Sequence, residues 1–270
     1  MLKFVKGFLI ITWICSLSGF TFQDSLVEES ANQPVSLQTR VRTVVLDAGH
    51  GGKDPGCHGA SNDESKIALK IVLELGERIK DEYPEVRVIY TRTKNVFVDL
   101  HERSAIANRN KADLFISVHC NAHHSSKLAG TETYTMGLHK TSSNLDVAKR
   151  ENSVILQEAN YEKNYNGFNP NSPLGHIMMA NYQSAFMMNS LKLAQKIEKQ
   201  FKQKTERHSY GVKQAGFLVL WETAMPSVLV ESGFLTNKNE EQYLASQSGQ
   251  NEVAEAIFRA FKSYKEEIEN

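Results

Sequence analysis

The stretch Val44-Val45-Leu46-Asp47-Ala48-Gly49-His50-Gly51-Gly52-Lys53-Asp54-Pro55-Gly56 runs an apolar segment into a glycine-dense turn that carries a histidine. Such a pattern reads as a buried strand delivering a side chain to a loop at its carboxyl end, where α/β proteins usually place their chemistry. Gly49, Gly51 and Gly52 let the chain fold tightly around whatever His50 holds. Two later strands end in the same way. Leu114-Phe115-Ile116-Ser117-Val118 runs into His119, and Pro226-Ser227-Val228-Leu229-Val230 runs into Glu231.

With 270 residues, 41% of them hydrophobic and 23% charged, the chain suits one sizeable globular domain. Its 31 basic and 31 acidic residues balance, and no long basic run gives a reason to expect nucleic acid as a partner. At the N-terminus, Lys3 and Lys6 precede an apolar run from Phe8 to Leu17, followed by the small residues Ser18 and Gly19. This is a signal-peptide pattern, over residues 1–22, that directs the chain to a secreted, periplasmic or cell-envelope location. A retained anchor and lipidation at Cys15 are weaker alternatives. Residues 23–42 read as a linker, and no later apolar stretch is long enough to span a membrane. Only Cys57 and Cys120 follow the leader, so no disulfide framework is expected, and a local bridge or two free thiols both stay open.

The remaining elements follow from periodicity. Ile67, Ile71, Leu75 and Ile79 recur every four residues and predict a helix from about Glu64 to Lys80, capped by Asn62 or Asp63. A strand over Val86 to Tyr90 and a helix from an Asp99 cap to about Asn110, with Glu102 as capping-box partner, come next. Thr131 to Thr135 reads as a strand at a sheet edge. Residues 140–205 suggest a helical hairpin laid over the cleft as an insertion. Gly216 to Trp221 is expected as a strand, and a terminal helix buries Val253, Ile257, Phe261 and Tyr264. Together these give an α/β fold, a mixed twisted sheet of about six strands with helices on both faces.

Two histidines and a carboxylate match a mononuclear zinc site with one open position. Glu64, in the first turn of its helix, can approach His50 and His119 as the third ligand, which leaves Glu231 as the group that moves protons. His58, His123 and His124 lie in polar loops near the site, while Arg92 and Arg103 either bind a carboxylate or buttress the site. No phosphate loop, HExxH pair or Gly-x-Ser-x-Gly elbow competes with this reading.

At this point the chain resembles the zinc-dependent N-acetylmuramoyl-L-alanine amidases of the Amidase_3 type. The resemblance is carried by Val45 to Gly56, Asn62-Asp63-Glu64, Thr91-Arg92-Thr93, Leu100-His101-Glu102-Arg103, Ala112 to Ala122 and Pro226 to Asn237. It implies a catalytic domain over 43–268, one zinc held by His50, Glu64 and His119, and Glu231 as acid-base residue. The implied substrate is peptidoglycan, cut between the lactyl group of N-acetylmuramic acid and L-alanine, in wall remodelling and daughter-cell separation. Arg92, Arg103, Asn121 and His58 are left as substrate contacts or site support. Some relatives carry a helical insertion that blocks the zinc until an activator protein displaces it. The corresponding segment here makes Glu158 and Glu162 the expected blocking ligands. A zinc peptidase cutting within the stem, and a wall-binding protein without turnover, are the competing readings.

Overall fold

The computed structural model describes residues 40–172, 174–175, 177, 185–205 and 207–270. The expected leader and nearly all of the expected linker lie outside these residues, as does part of the expected hairpin. Among the described residues six strands form one mixed sheet in the order β2-β1-β3-β6-β4-β5. They are β1 (Thr43–Ala48), β2 (Arg87–Tyr90), β3 (Leu114–Asn121), β4 (Thr131–Met136), β5 (Ser209–Ala215) and β6 (Ser227–Phe234). β1, β3 and β6 are adjacent and parallel, with Ala48 beside Val118 and His119 beside Glu231. Their carboxyl ends therefore open on the same edge of the sheet.

Side chains of a strand alternate between faces, and that period sorts the molecule. Val44, Leu46, Leu114, Ile116, Val118, Cys120, Val228 and Val230 pack on one face with α1 (Glu64–Glu82), α5 (Met187–Lys204) and α8 (Gln247–Glu269). Val45, Phe115, Leu229 and Tyr134 pack on the other with α2 (Leu100–Arg109), α3 (Ser142–Asn152) and the short α6 (Leu218–Trp221). Both faces are covered, which is why β1, β3 and β6 read as nearly unbroken apolar runs. The second face also receives Asp47, Ser117, His119, Asn121 and Glu231, the polar members of those strands.

The helix over α1 forms where its period places it, and Ile67, Ile71, Leu75 and Ile79 are all buried. Its cap differs from expectation. Asp63 occupies the N-cap position without a side-chain cap bond. The first helical N–H groups instead reach the Cys57 and Pro55 carbonyls, both at 3.0 Å. Asp99 likewise makes no cap bond, and α2 is capped from outside by the Glu158 carboxylate on the Leu100 N–H at 2.7 Å.

Three further expectations are corrected. β4 is not an edge strand: it lies between β6 and β5, and the half-buried β5 takes the edge. Gly216 to Trp221 is not a strand, because Leu218–Trp221 closes into a helical turn whose apolar run fills the second core. The two helices of the expected hairpin do not pair. Leu193, Ile197 and Phe201 of α5 belong to one core, while Val147 and Ala148 of α3 belong to the other. A 3₁₀ turn (Ser153–Gln157), α4 (Tyr161–Asn164) and α7 (Lys238–Ala245) complete the described elements. No helix among the described residues is long and apolar enough to cross a membrane.

Candidate metal centre

His50 sits in the left-handed region with φ of 61°, followed by Gly51 at 126° and Gly52 at 60°. For a histidine that conformation is strained and persists only where the surroundings enforce it. Two buried arginines do so. Arg103 donates to the Ala48 carbonyl at 2.7 Å and the His50 carbonyl at 2.8 Å. Arg92 donates to the Ala48, Gly49 and Ser65 carbonyls at 2.9, 2.7 and 2.8 Å. Both guanidinium groups are spent on main chain around the turn and are nearly inaccessible. In this position both side chains brace the main chain around the turn. Arg103 also pairs with buried Asp47 at 2.8 Å, whose carboxylate accepts from Thr91 and Ser117, both at 2.6 Å. Burial raises the Asp47 pKa, but Arg103 and the two hydroxyls outweigh it and hold the group below the ordinary carboxylate value.

Within this frame four ligand atoms converge. His50 Nε2 lies 3.1 Å from Glu64 Oε1 and 3.0 Å from Glu151 Oε2. His119 Nδ1 lies 2.9 Å from Glu64 Oε1 and 3.1 Å from Glu151 Oε2. Four donors around zinc at roughly 2.0–2.1 Å stand about 3.3 Å apart along the edges of a tetrahedron, so the set fits that ion closely. Asp54 accepts from His50 Nδ1 at 2.7 Å, which fixes the tautomer and leaves Nε2 bare toward the centre. Cys57 N and Cys120 N hold the Glu64 carboxylate at 2.8 and 2.9 Å.

The chemistry of the set also calls for a cation. His50 Nε2 and Glu151 Oε2 are buried and lack a hydrogen-bond partner although they face one another. Burial lowers the pKa of each imidazole, yet the surrounding carboxylates more than reverse this, pushing His119 up to about 9 and His50 well above its ordinary value. Two buried carboxylates need positive charge between them, as protons or as a metal.

Glu231 is fully buried on β6, in register with His119 on one side and Glu132 on the other. Neither of its oxygens has a hydrogen-bond partner. Burial and then the Glu151 carboxylate drive its pKa well above the ordinary value, against the pull of Arg150. The Arg150 Nη2 atom lies 3.5 Å away. A cleft of about 540 Å³ opens beside this end of the site, with Asn121, Glu132, Arg150 and Lys213 on its walls.

The structure brings His50, Glu64, His119 and Glu231 together and leaves other expected residues elsewhere. Glu158 is not at the centre: its oxygens accept from the Leu100 N–H and, at 2.6 Å, from the Tyr165 hydroxyl. With Asp99 and His101 it forms a second group of ligand-type atoms within 4.8 Å, but capping α2 accounts for its burial. Glu162 lies exposed on α4, lining a separate surface depression with Leu156 and Phe168. His58 is exposed and bonds to Asp63 at 3.0 Å. Cys120 points into the core opposite the site, since it alternates with His119, and both cysteines are free thiols. Glu151, Arg150, Asp54, Asp47 and Glu132 escaped the reading of the sequence. A signal for Glu151 existed: it lies four residues after Val147 and three after Ala148, so it continues the buried stripe of α3 as an acid.

Comparison with known proteins agrees with this geometry. The family model described as N-acetylmuramoyl-L-alanine amidase, Amidase_3, matches residues 44–263. The chain is 31% identical over 240 residues to the amidase AmiC of Escherichia coli O6:H1, covering 87% of this chain and 56% of that protein. It is 31% identical over 228 residues to AmiA of Escherichia coli K12, covering 83% of this chain and 76% of that protein. A crystal structure of an amidase from Clostridium difficile 630 shares the fold, with a TM-score of 0.62 at 24% identity over 83% of this chain and 97% of that one. The chain thus spans little more than half of AmiC and about three quarters of AmiA, and across that span it belongs to the N-acetylmuramoyl-L-alanine amidase family.

Proposed function

We propose that the chain hydrolyses the amide between the lactyl group of N-acetylmuramic acid and the L-alanine of the peptidoglycan stem peptide. His50, Glu64 and His119 are the zinc ligands in this reading. The observation that carries it is the convergence of these three donors beside a buried carboxylate, Glu231, on the adjoining strand. Zinc, when bound, supplies a polarised carbonyl and a water acidic enough to react near neutral pH. Glu231 accepts the proton of the attacking water and passes it to the departing nitrogen, a contribution of about 10²–10⁴-fold.

The chain as folded is latent in this reading. Glu151 Oε2 stands where a fourth donor belongs, and Arg150 stands beside Glu231. Glu151 thereby takes the blocking role that the sequence suggested for Glu158 or Glu162. A protein that draws α3 away is the implied activator, and secretion to the cell envelope for wall remodelling and daughter-cell separation is the implied setting.

Muropeptide digestion with product masses tests the proposal. The Glu151→Ala chain should release intact stem peptides from glycan with zinc, and should stop with chelator. Addition of Glu231→Ala should abolish release while zinc stays bound. Fragments cut within the stem would identify a peptidase instead, and retention of glycan without turnover would leave only a binding protein.

A further inference from the structure

The Arg150 guanidinium occupies a particular set of acceptors. Its Nη2 donates to Asn121 Oδ1 at 3.0 Å and its Nη1 to the Ala122 carbonyl at 3.2 Å. The same Nη2 is 3.5 Å from Glu231 Oε1. A nitrogen donor is therefore held between the carboxamide oxygen of Asn121 and the carboxylate that handles protons.

The direction of the Asn121 amide is decided by chemistry. Its Nδ2 donates to Glu132 Oε1 at 2.7 Å, and a carboxylate can only accept. Glu132 is held in turn by the Tyr134 hydroxyl at 2.8 Å and by an ion pair with Lys213. Asn121, Glu132 and Tyr134 are all nearly or fully buried. This three-strand network fixes Oδ1 toward the centre, two residues beyond His119 and on the same face of β3. Oδ1 also accepts from the Ala122 N–H at 2.8 Å, and the turnover chemistry above gives its remaining lone pair no task.

We propose that Asn121 is a substrate-binding residue whose Oδ1 accepts the N–H of the scissile amide, and that Arg150 Nη2 stands in for that N–H in the latent chain. The inference rests on the hydrolytic reading of the site. A leaving nitrogen must come within hydrogen-bond reach of its proton donor, and the Arg150 Nη2 position adjoins Glu231. With its N–H turned to Asn121, the nitrogen directs its developing lone pair away from that acceptor and toward Glu231. As the nitrogen gains its proton and positive charge, the bond to Oδ1 strengthens, so the interaction favours the transition state over bound substrate. Glu132 acts through Asn121 and is a positioning residue.

An atom exchange in the substrate tests this. The parent is the full chain carrying Arg150→Ala and Glu151→Ala, so that the acceptors are free. The substrates are a muramoyl-L-alanyl peptide and its L-lactyl counterpart, in which the scissile N–H is an ester oxygen. Adding Asn121→Ala should lower kcat/KM about tenfold on the amide, mainly through kcat, and less than about twofold on the ester. Glu132→Ala should show the same amide-selective loss, with zinc content unchanged. Both rates come from one preparation, so a misfolded fraction would lower them alike. Equal losses on the two substrates, or none on the amide, would overturn the assignment. A parent inactive on both would overturn the hydrolytic reading itself, and this inference with it.

Discussion

Gly49 offers the sharpest test of how the metal centre is built. A Cβ placed there would stand 2.6 Å from both ring nitrogens of His119, and closer still to Cε1. Ordinary contact begins at 3.4 Å and Cε1 would stand at 2.4 Å, so the ring must retreat by about 1.0 Å. The backbone cannot yield in its place: the Gly49 N–H is bonded to the Val118 carbonyl at 3.0 Å, and its own carbonyl accepts from Arg92 at 2.7 Å. The displacement therefore falls on His119 Nδ1, now 2.9 Å from Glu64 Oε1. Zinc tolerates ligand displacements of only about 0.2 Å, and even disturbances one bond further out lower affinity about 10–100-fold. Gly49→Ala should weaken zinc by at least that factor in a chelator-competition titration. Its φ lies outside the left-handed region, so alanine suits the backbone and the melting temperature should move by only a few degrees. Zinc affinity within twofold of the parent would refute the assignment of His119 as a ligand fixed by this contact.

Other outcomes follow from the same geometry. Glu151→Ala should raise basal release of stem peptides at least tenfold without an activator, and unchanged turnover in a folded, zinc-loaded variant would reject the blocking role. Arg103→Ala leaves Asp47 buried without its cation and should cost about 3–5 kcal/mol in denaturant unfolding; a loss below about 1 kcal/mol would sink the buttress argument. Asp47 is held below its unfolded pKa. The stability it contributes is therefore fully present above about pH 3.9 and is lost as pH falls through the lower folded value. Thermal melts should drop more steeply below that pH in the parent than in Asp47→Asn, and parallel curves would contradict the linkage. Tyr165→Phe removes the hydroxyl that binds both Glu158 and the His101 N–H, at 2.6 and 2.9 Å. It should lower stability by about 1–3 kcal/mol and loosen the segment after α3, read as faster amide exchange around residues 158–165.

What could be read in advance depended on whether a residue's task is local. His50, His119 and Glu231 each end an apolar run, and the run itself predicts the parallel strand that places them. Glu64 announces itself through the period of α1. The caps are not legible in the sequence because both helices use distant or main-chain acceptors, Glu158 for α2 and the Cys57 and Pro55 carbonyls for α1. Local propensity does not register a cap supplied from 58 residues away. β5 contains Gly211 and no steady alternation, so its strand state comes from pairing with β4, which only the fold supplies. Asp47 and Glu132 were hidden for a related reason: a polar residue within a strand looks solvent-facing until its cross-strand partners are known.

The pair Arg150-Glu151 shows why an α3 seated in this site is stable despite the charges it buries. The dipeptide is neutral overall, yet each half meets its opposite. Glu151 faces the two imidazoles, and Arg150 faces Glu231 and bonds to Glu151 Oε1 at 2.9 Å. Neither charge is left unmatched, and leaving one unmatched is the expensive case for buried ions. In the proposed reading α3 would depart as a neutral unit, and two local needs would return together: a ligand position at the cation and a donor at Asn121 beside Glu231. A scissile amide would meet both, its carbonyl oxygen answering the cation and its N–H answering Asn121. An isolated carboxylate or an isolated ammonium answers only one. On that proposal, the same arrangement of charge that seals the site would select, once opened, for a neutral group carrying an acceptor and a donor side by side.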